Sequence, residues 1–374
     1  NRRPEVKKEE EKGLKKDDFK EMSVEEFLKL DDKKLDTYLK DNDFDKKYIL
    51  NASIRRDGNS RFAPGVRWAN FWSVGGAYNI EREDFFDVKW VDLLKVRASY
   101  GVVGNDGGLG YYPYQALYTL GRNNNAEPGF TQASIPNPNL TWEKSKIFQV
   151  GFESKLFNFL SLNVDFYEKN TYDLFFERRV ATSTGLAIIT VNDGELTNRG
   201  VEFDLNAELI KGKNKGDFTL DFGVNGEMLT NELTKMPIDP ATGQERLLDV
   251  SNAPYGWANG KSVYDFYMRE WAGVNPATGE GLWNMYYDDI NGNGVFDSAD
   301  QNILSMTTYL KQVNPDANVK MTTTNNYSQA TSKFVGKSAI PKVRGAFRIN
   351  TAYKNFDLTA QFGYSLGGYA TDAG

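Results

Sequence analysis

Asp289, Asn291, Asn293, Asp297 and Asp300 are spaced as the oxygen ligands of a single cation. The run Asp289-Ile-Asn291-Gly-Asn293-Gly294-Val295-Phe-Asp297-Ser-Ala-Asp300 fits the calcium-loop pattern D-x-[DN]-x-[DN]-G. Side chains at positions one, three, five, nine and twelve would offer oxygens, and the Val295 carbonyl would join them at seven. Gly294 stands at six, where the chain must reverse sharply. The twelfth residue is Asp rather than Glu, which shortens its reach. Flanking helices are not evident, so the pattern reads as a structural Ca²⁺ site in a loop; the alternative is a polar Gly/Asn turn without an ion.

Other chemistry is thinly supported. Asp165, Glu202, Asp204 and Glu208 could be paired carboxylates for glycoside hydrolysis. Their regular placement on the polar side of alternating stretches reads better as the wall of a wet lumen. Gly101-Val-Val-Gly-Asn-Asp-Gly-Gly lacks the Lys-Ser/Thr and the following helix of a phosphate loop, and reads as a strand-to-loop turn. Trp257, Trp271 and Trp283 could stack on a substrate's sugar rings or pack the core of their own loop. The 374 residues include no His and no Cys, which excludes His-based nucleophile activation, disulfides and thiolate or imidazole zinc sites. No enzyme activity is expected. A net charge of −6 gives nucleic acid no basic surface to bind.

The elements that position these residues are strands. In 199–229, Val201, Phe203, Leu205, Ala207 and Leu209 alternate with Glu202, Asp204, Asn206 and Glu208. After a Lys/Gly/Asn turn, Phe218, Leu220, Phe222 and Val224 alternate with Thr219, Asp221, Gly223 and Asn225. Strict period two makes strands with one apolar and one polar face. Arms of about ten residues suit a tilted bilayer crossing better than the soluble mode of roughly 5–6. The same design recurs near 46–56, 68–79, 94–100, 148–152, 160–167, 347–353 and 356–364, which makes nine strands.

Connection lengths sort by parity. Alternate connections are turns of a few residues, the stretch 80–91 being the longest; the others are long loops, of which 231–341 is the largest. Membrane barrels have short periplasmic turns and long extracellular loops, whereas a soluble sandwich has no reason to sort them so. A mean hydropathy of −0.57 is compatible, because lumen-facing residues are polar. Phe, Tyr and Trp make up 14% of the chain, enough for interfacial girdles as well as packing. The expected fold is all-β: an antiparallel transmembrane barrel with long extracellular loops. Nine strands is an odd count, so the chain reads as part of a larger barrel.

Several stretches resemble the SusC/RagA family of TonB-dependent outer-membrane transporters. They are Asn51-Ala-Ser-Ile-Arg-Arg-Asp-Gly-Asn-Ser-Arg-Phe62, Trp72-Ser-Val-Gly-Gly-Ala-Tyr78, Leu94-Lys-Val-Arg-Ala-Ser-Tyr-Gly-Val-Val-Gly-Asn105, Asn137-Pro-Asn-Leu-Thr-Trp-Glu-Lys144, Asn198-Arg-Gly-Val-Glu-Phe203 and Tyr353-Lys-Asn-Phe-Asp-Leu358. The family is similar at the acidic loop too. The resemblance implies the later part of a barrel of about 22 strands in a bacterial outer membrane. It implies uptake of oligosaccharides or peptides, a SusD-like surface lipoprotein as partner, and a TonB complex pulling on a plug that this chain does not contain.

The expected layout is therefore a tail, 1–45, followed by barrel and loops, 46–374. The tail is a Lys/Glu/Asp tract with a capping box at Ser23 that predicts a short helix near 23–30, and 1–39 does not resemble the family. The competing reading is a soluble secreted β-sandwich: a binding protein, or a carbohydrate-active enzyme with a calcium loop.

Overall fold

The computed structural model describes residues 42–44, 47–121, 127–214, 216–240 and 242–372. The helix expected near 23–30 lies outside them. Ten antiparallel strands form one sheet: β1 (Asn42–Phe44), β2 (Tyr48–Gly58), β3 (Trp68–Asn79), β4 (Val91–Asn105), β5 (Glu143–Leu156), β6 (Leu160–Tyr172), β7 (Glu195–Ile210), β8 (Thr219–Lys235), β9 (Val343–Tyr353) and β10 (Phe356–Leu366). Each strand pairs with its neighbours in sequence, an up-and-down meander. Strand β1 adds to the nine expected from the sequence and begins the sheet ahead of residue 46.

Register puts the apolar alternation of every strand on one face. Val150, Phe166, Val201 and Met228 form one cross-strand row, and Phe152, Val164, Phe203 and Gly226 the next. Among the described residues no second sheet covers this face. Ile54 (71%), Leu358 (63%) and Phe166 (55%) remain exposed. A sandwich would bury these positions between sheets; here they await a non-aqueous neighbour. Among the described residues no helix is long and apolar enough to cross a membrane, which does not bear on crossing by strands.

The strands outrun the expected alternation at one end. β5 starts at Glu143 and β6 continues to Tyr172, because the apolar face turns polar there, with Lys144, Lys146, Glu168 and Asn170 in the apolar positions. Period two in hydropathy is lost although the strand geometry persists. All long connections (59–67, 106–142, 173–194 and 236–342) leave from this end, and all short ones from the other. At the short-turn end, Tyr48 stacks on Tyr78 at 4.9 Å and Trp90 on Phe157 at 5.3 Å, a band of aromatics of the kind that marks a membrane interface.

The long connections have cores of their own. Leu140 and Trp142 pack with Phe62 and Phe71, and the Trp142 indole donates to the Arg67 carbonyl at 3.0 Å. Asn192 closes the same knot, accepting from the Thr141 N–H and donating to its carbonyl. The Asn137-to-Lys144 motif thus ties three connections together. In 236–342, strands Asp265–Arg269 and Ser332–Ser338 pair, and Gly281–Asp288 is flanked by Trp271–Val274, Gln301–Ile303 and Val319–Thr324. These six strands are absent from the sequence reading because they are short and lack a clean alternating pattern.

Candidate functional site

The face opposite the apolar one is a connected polar surface. Arg97 on β4 reaches Glu153 on β5 at 2.8 Å and Asp165 on β6 at 2.6 Å. Lys95 also pairs with Glu153, and Gln149 donates to Asp165. Farther along the sheet, the Tyr167 hydroxyl on β6 donates to Glu227 on β8 at 2.9 Å, and Arg344 on β9 meets the same carboxylate at 2.6 Å. Arg348 donates to Asn206, whose amide in turn donates to Asp204. A depression of about 930 Å³ opens among Arg97, Asp165, Glu202, Asp204, Glu227 and Arg344.

Of the four carboxylates noted in the sequence, Asp165, Glu202 and Asp204 line this depression, whereas Glu208 pairs with Lys211 at the short-turn end. Asp165 is engaged by a guanidinium and a carboxamide, as suits a hydrogen-bonding wall rather than an acid/base pair. Arg97, Tyr167, Glu227, Arg344 and Arg348 were not singled out from the sequence. Part of their signal was there: Arg97, Glu227 and Arg344 share one polar-face register row with Asp165 and Glu202, whereas Tyr167 and Arg348 occupy polar-face positions in other rows.

Residues 289–300 form a compact loop after the strand Gly281–Asp288. Its root is firm: buried Asp288 accepts from Tyr309, Asn314 and the Asn318 N–H. Asp289, 3% exposed, accepts from the Gly294 N–H at 3.0 Å and from the Asn318 amide at 3.3 Å. Its other oxygen, Oδ1, is buried without a hydrogen-bond partner among the described residues. Asn291 and Asn293 both donate to Asp297, and Asp300 accepts from the Ile290 and Asp297 N–H groups. Gly292 and Gly294 take left-handed φ of 72° and 74°, which lets the chain reverse as the motif requires. The Ala299 N–H, then Asn293 and Asn291, hold the Asp297 carboxyl below its ordinary range. Burial pushes the Tyr287 phenol up, and the neighbouring Asp289, Asp300 and Asp297 carboxylates push it further.

As a cation site the loop is open to an ion but not closed around one. The buried, unpartnered Asp289 Oδ1 fits a position-one ligand. Among the described residues, no three acidic side chains draw together closely enough to enclose a metal.

Trp271 and Trp283 meet edge to face at 5.4 Å, and Trp283 meets Tyr327 at 5.3 Å. Trp271 is 58% exposed, and the Arg269 guanidinium lies 4.5 Å from the Tyr327 ring. Trp257 stands apart from them: it packs on Phe176 at the base of the loops and donates to the Val263 carbonyl.

Residues 34–373 match the family described as "TonB dependent receptor-like, beta-barrel". The chain belongs to that family. TonB-dependent receptor P3 of Formosa agariphila is 29% identical over 341 residues, covering 87% of this chain and 31% of that protein. TonB-dependent receptor SusC of Bacteroides thetaiotaomicron is 28% identical over 339 residues, covering 84% and 33%. The RagAB peptide importer in its closed-closed state superposes with a TM-score of 0.69 at 28% identity, over 87% of this chain and 32% of that one. This chain thus spans about a third of the length of such relatives. Membership of a TonB-dependent receptor family places the sheet in a bacterial outer membrane as barrel wall, and the family is one of transporters rather than enzymes. The apolar face then meets lipid and the polar face the lumen.

Proposed function

We propose that this chain is the barrel wall and extracellular loop layer of an importer of oligosaccharides or peptides. A SusD-like lipoprotein would cap the loops, and a TonB complex would act through a plug outside this chain. What carries the reading is the sheet's two-sidedness: an uncovered apolar face and a linked polar face, with every long loop at one end. The neighbours named for RagAB import peptides. The exposed Trp271 and its partner Trp283 offer sugar rings a stacking surface, the kind of contact aromatic platforms make. Deleting the gene and following uptake of labelled oligosaccharides and peptides tests the reading. Uptake of both unchanged by the deletion would overturn it.

Within that frame, the loop 289–300 would hold one structural Ca²⁺ through Asp289, Asn291, Asn293, the Val295 carbonyl, Asp297 and Asp300. The unpartnered Asp289 oxygen supports this. Calcium suits flexible oxygen ligands better than Mg²⁺, which holds to octahedral geometry and keeps its water. The ion would stiffen the loop; the chain's own residues root it through Asp288 and Asn318.

A further inference from the structure

The lipid-facing side of the sheet changes character along one register row. Phe166, Val201 and Met228 lie side by side on β6, β7 and β8. One row nearer the long loops, the same face carries Glu168, Arg199 and Thr230, with Phe148 beside Glu168 on β5. Arg199 Nε lies 2.8 Å from Glu168, and both side chains are about half exposed. One row further, Lys146 lies with its Nζ 4.7 Å from the Tyr172 ring. Between the first two of these rows a depression of about 620 Å³ opens on the outer face, with Lys146 one row beyond it. Phe148, Phe166, Val201 and Met228 form its apolar side; Arg199 and Lys342 line it with Glu168.

A cation facing hydrocarbon costs about 2–4 kcal/mol at mid-membrane and about 0–1 near the interface, so this row belongs at the head-group level. On the rim Arg199 and Lys342 outnumber Glu168, and Lys146 adds a third cation one row further toward the loops. The apolar floor admits acyl chains, and the cationic rim matches a phosphate. All long loops lie at this end, which makes it the outer leaflet on the reading proposed above, and that leaflet supplies phosphorylated, multiply acylated glycolipid. We propose that the depression is a seat for such a lipid, with its phosphate held by the lining cations Arg199 and Lys342, Lys146 reaching it from the next row, and its chains along Phe166, Val201 and Met228.

The test is native mass spectrometry of protein extracted from outer membranes, delipidated in detergent and titrated with purified bisphosphorylated lipid A, dephosphorylated lipid A or phosphatidylglycerol. Wild type should retain one bisphosphorylated lipid A in preference to the other two. Lys146→Ala/Arg199→Ala/Lys342→Ala should weaken retention by at least about tenfold, since each cation near a membrane surface contributes roughly fivefold. Lys146→Arg/Lys342→Arg should restore it, and Glu168→Gln should tighten it, which keeps the test open if the triple variant fails to fold. Equal retention of the dephosphorylated lipid, or unchanged retention in the folded triple variant, would overturn the phosphate seat. Retention of phosphatidylglycerol as strong as that of lipid A would overturn the selectivity of the seat for the glycolipid. Protease treatment of whole cells tests the underlying orientation separately: cleavage within 236–342 upholds it whatever the lipid result, and protection of that loop would overturn it.

Discussion

Arg97 reaches Asp165 across an entire strand. The two residues sit on β4 and β6, and Gly151 on β5 is the register partner of both. A Cβ on Gly151 would collide with Asp165 Oδ1 and Arg97 Nε. The absent side chain is therefore what lets the ion pair close at 2.6 Å. Arg348 and Asn206 meet in the same way over Gly223.

Gly151→Val should push the guanidinium and carboxylate apart, at a cost of about 1–3 kcal/mol for overpacking. Gly151→Ala should cost less. Thermal unfolding of the protein in detergent reads both. A Gly151→Val variant as stable as wild type would show that the pair can re-form around a side chain.

The two faces of β7 respond differently to charge. Leu205 points to lipid and Asp204 to the lumen. Leu205→Arg at mid-membrane should destabilise by about 2–4 kcal/mol. Asp204→Asn should cost little, because an amide oxygen can still accept from Asn206. Equal penalties in a refolding titration would contradict the assignment of faces.

The barrel wall was legible in the sequence wherever hydropathy alternated, from Val201 to Ala207 for example, because a face against lipid and a face against water leave opposite marks. It faded at Lys146, Glu168 and Arg199, where both faces meet water or head groups although the strands continue. The polar network was only half legible. Its carboxylates stood out, but Arg97 and Arg344 come from strands distant in sequence, and pairing them requires the register. Trp257 could not be told from Trp271 by residue type; the difference is that one rests on Phe176 and the other faces outward.

Trp257→Ala should therefore loosen the loop layer, and Trp271→Ala should not. Truncating a packed Trp that also donates a hydrogen bond costs about 3–5 kcal/mol when fully buried, and somewhat less for a partly buried one. Limited proteolysis within 236–342 separates the two variants. Faster cleavage of the Trp271 variant would reverse their roles.

The acidic loop should loosen in acid. The Asp297 carboxyl is held below its ordinary range by the Ala299 N–H and the Asn293 and Asn291 amides. A group whose folded pKa is depressed stabilises the loop above its unfolded value, about 4, and loses that contribution as pH falls through the lower folded value. Exchange protection at 289–300, taken relative to the intrinsic amide rate at each pH, should therefore be high at neutral pH and fall as pH drops below about 4. Asp297→Asn should remove the pH step. A step that survives in that variant would assign it to another carboxylate.

Calcium should act on the same loop through different atoms. Asp289 lends one oxygen to Gly294 and Asn318 and leaves Oδ1 buried and unpartnered. A buried carboxylate oxygen without a donor is costly, and a cation is the partner that would offset it most. Asp297, by contrast, is already served by Asn291, Asn293 and Ala299, so an ion must compete with those donors. Asp289→Ala with Asp297→Ala should abolish the calorimetric heat of Ca²⁺ addition and speed proteolysis of the loop, while the barrel stays folded. Asp289→Asn alone should weaken the heat strongly, since it removes the charge at the deepest ligand. Identical heats for wild type and the double variant would exclude this loop as the site, whatever else on the protein binds calcium.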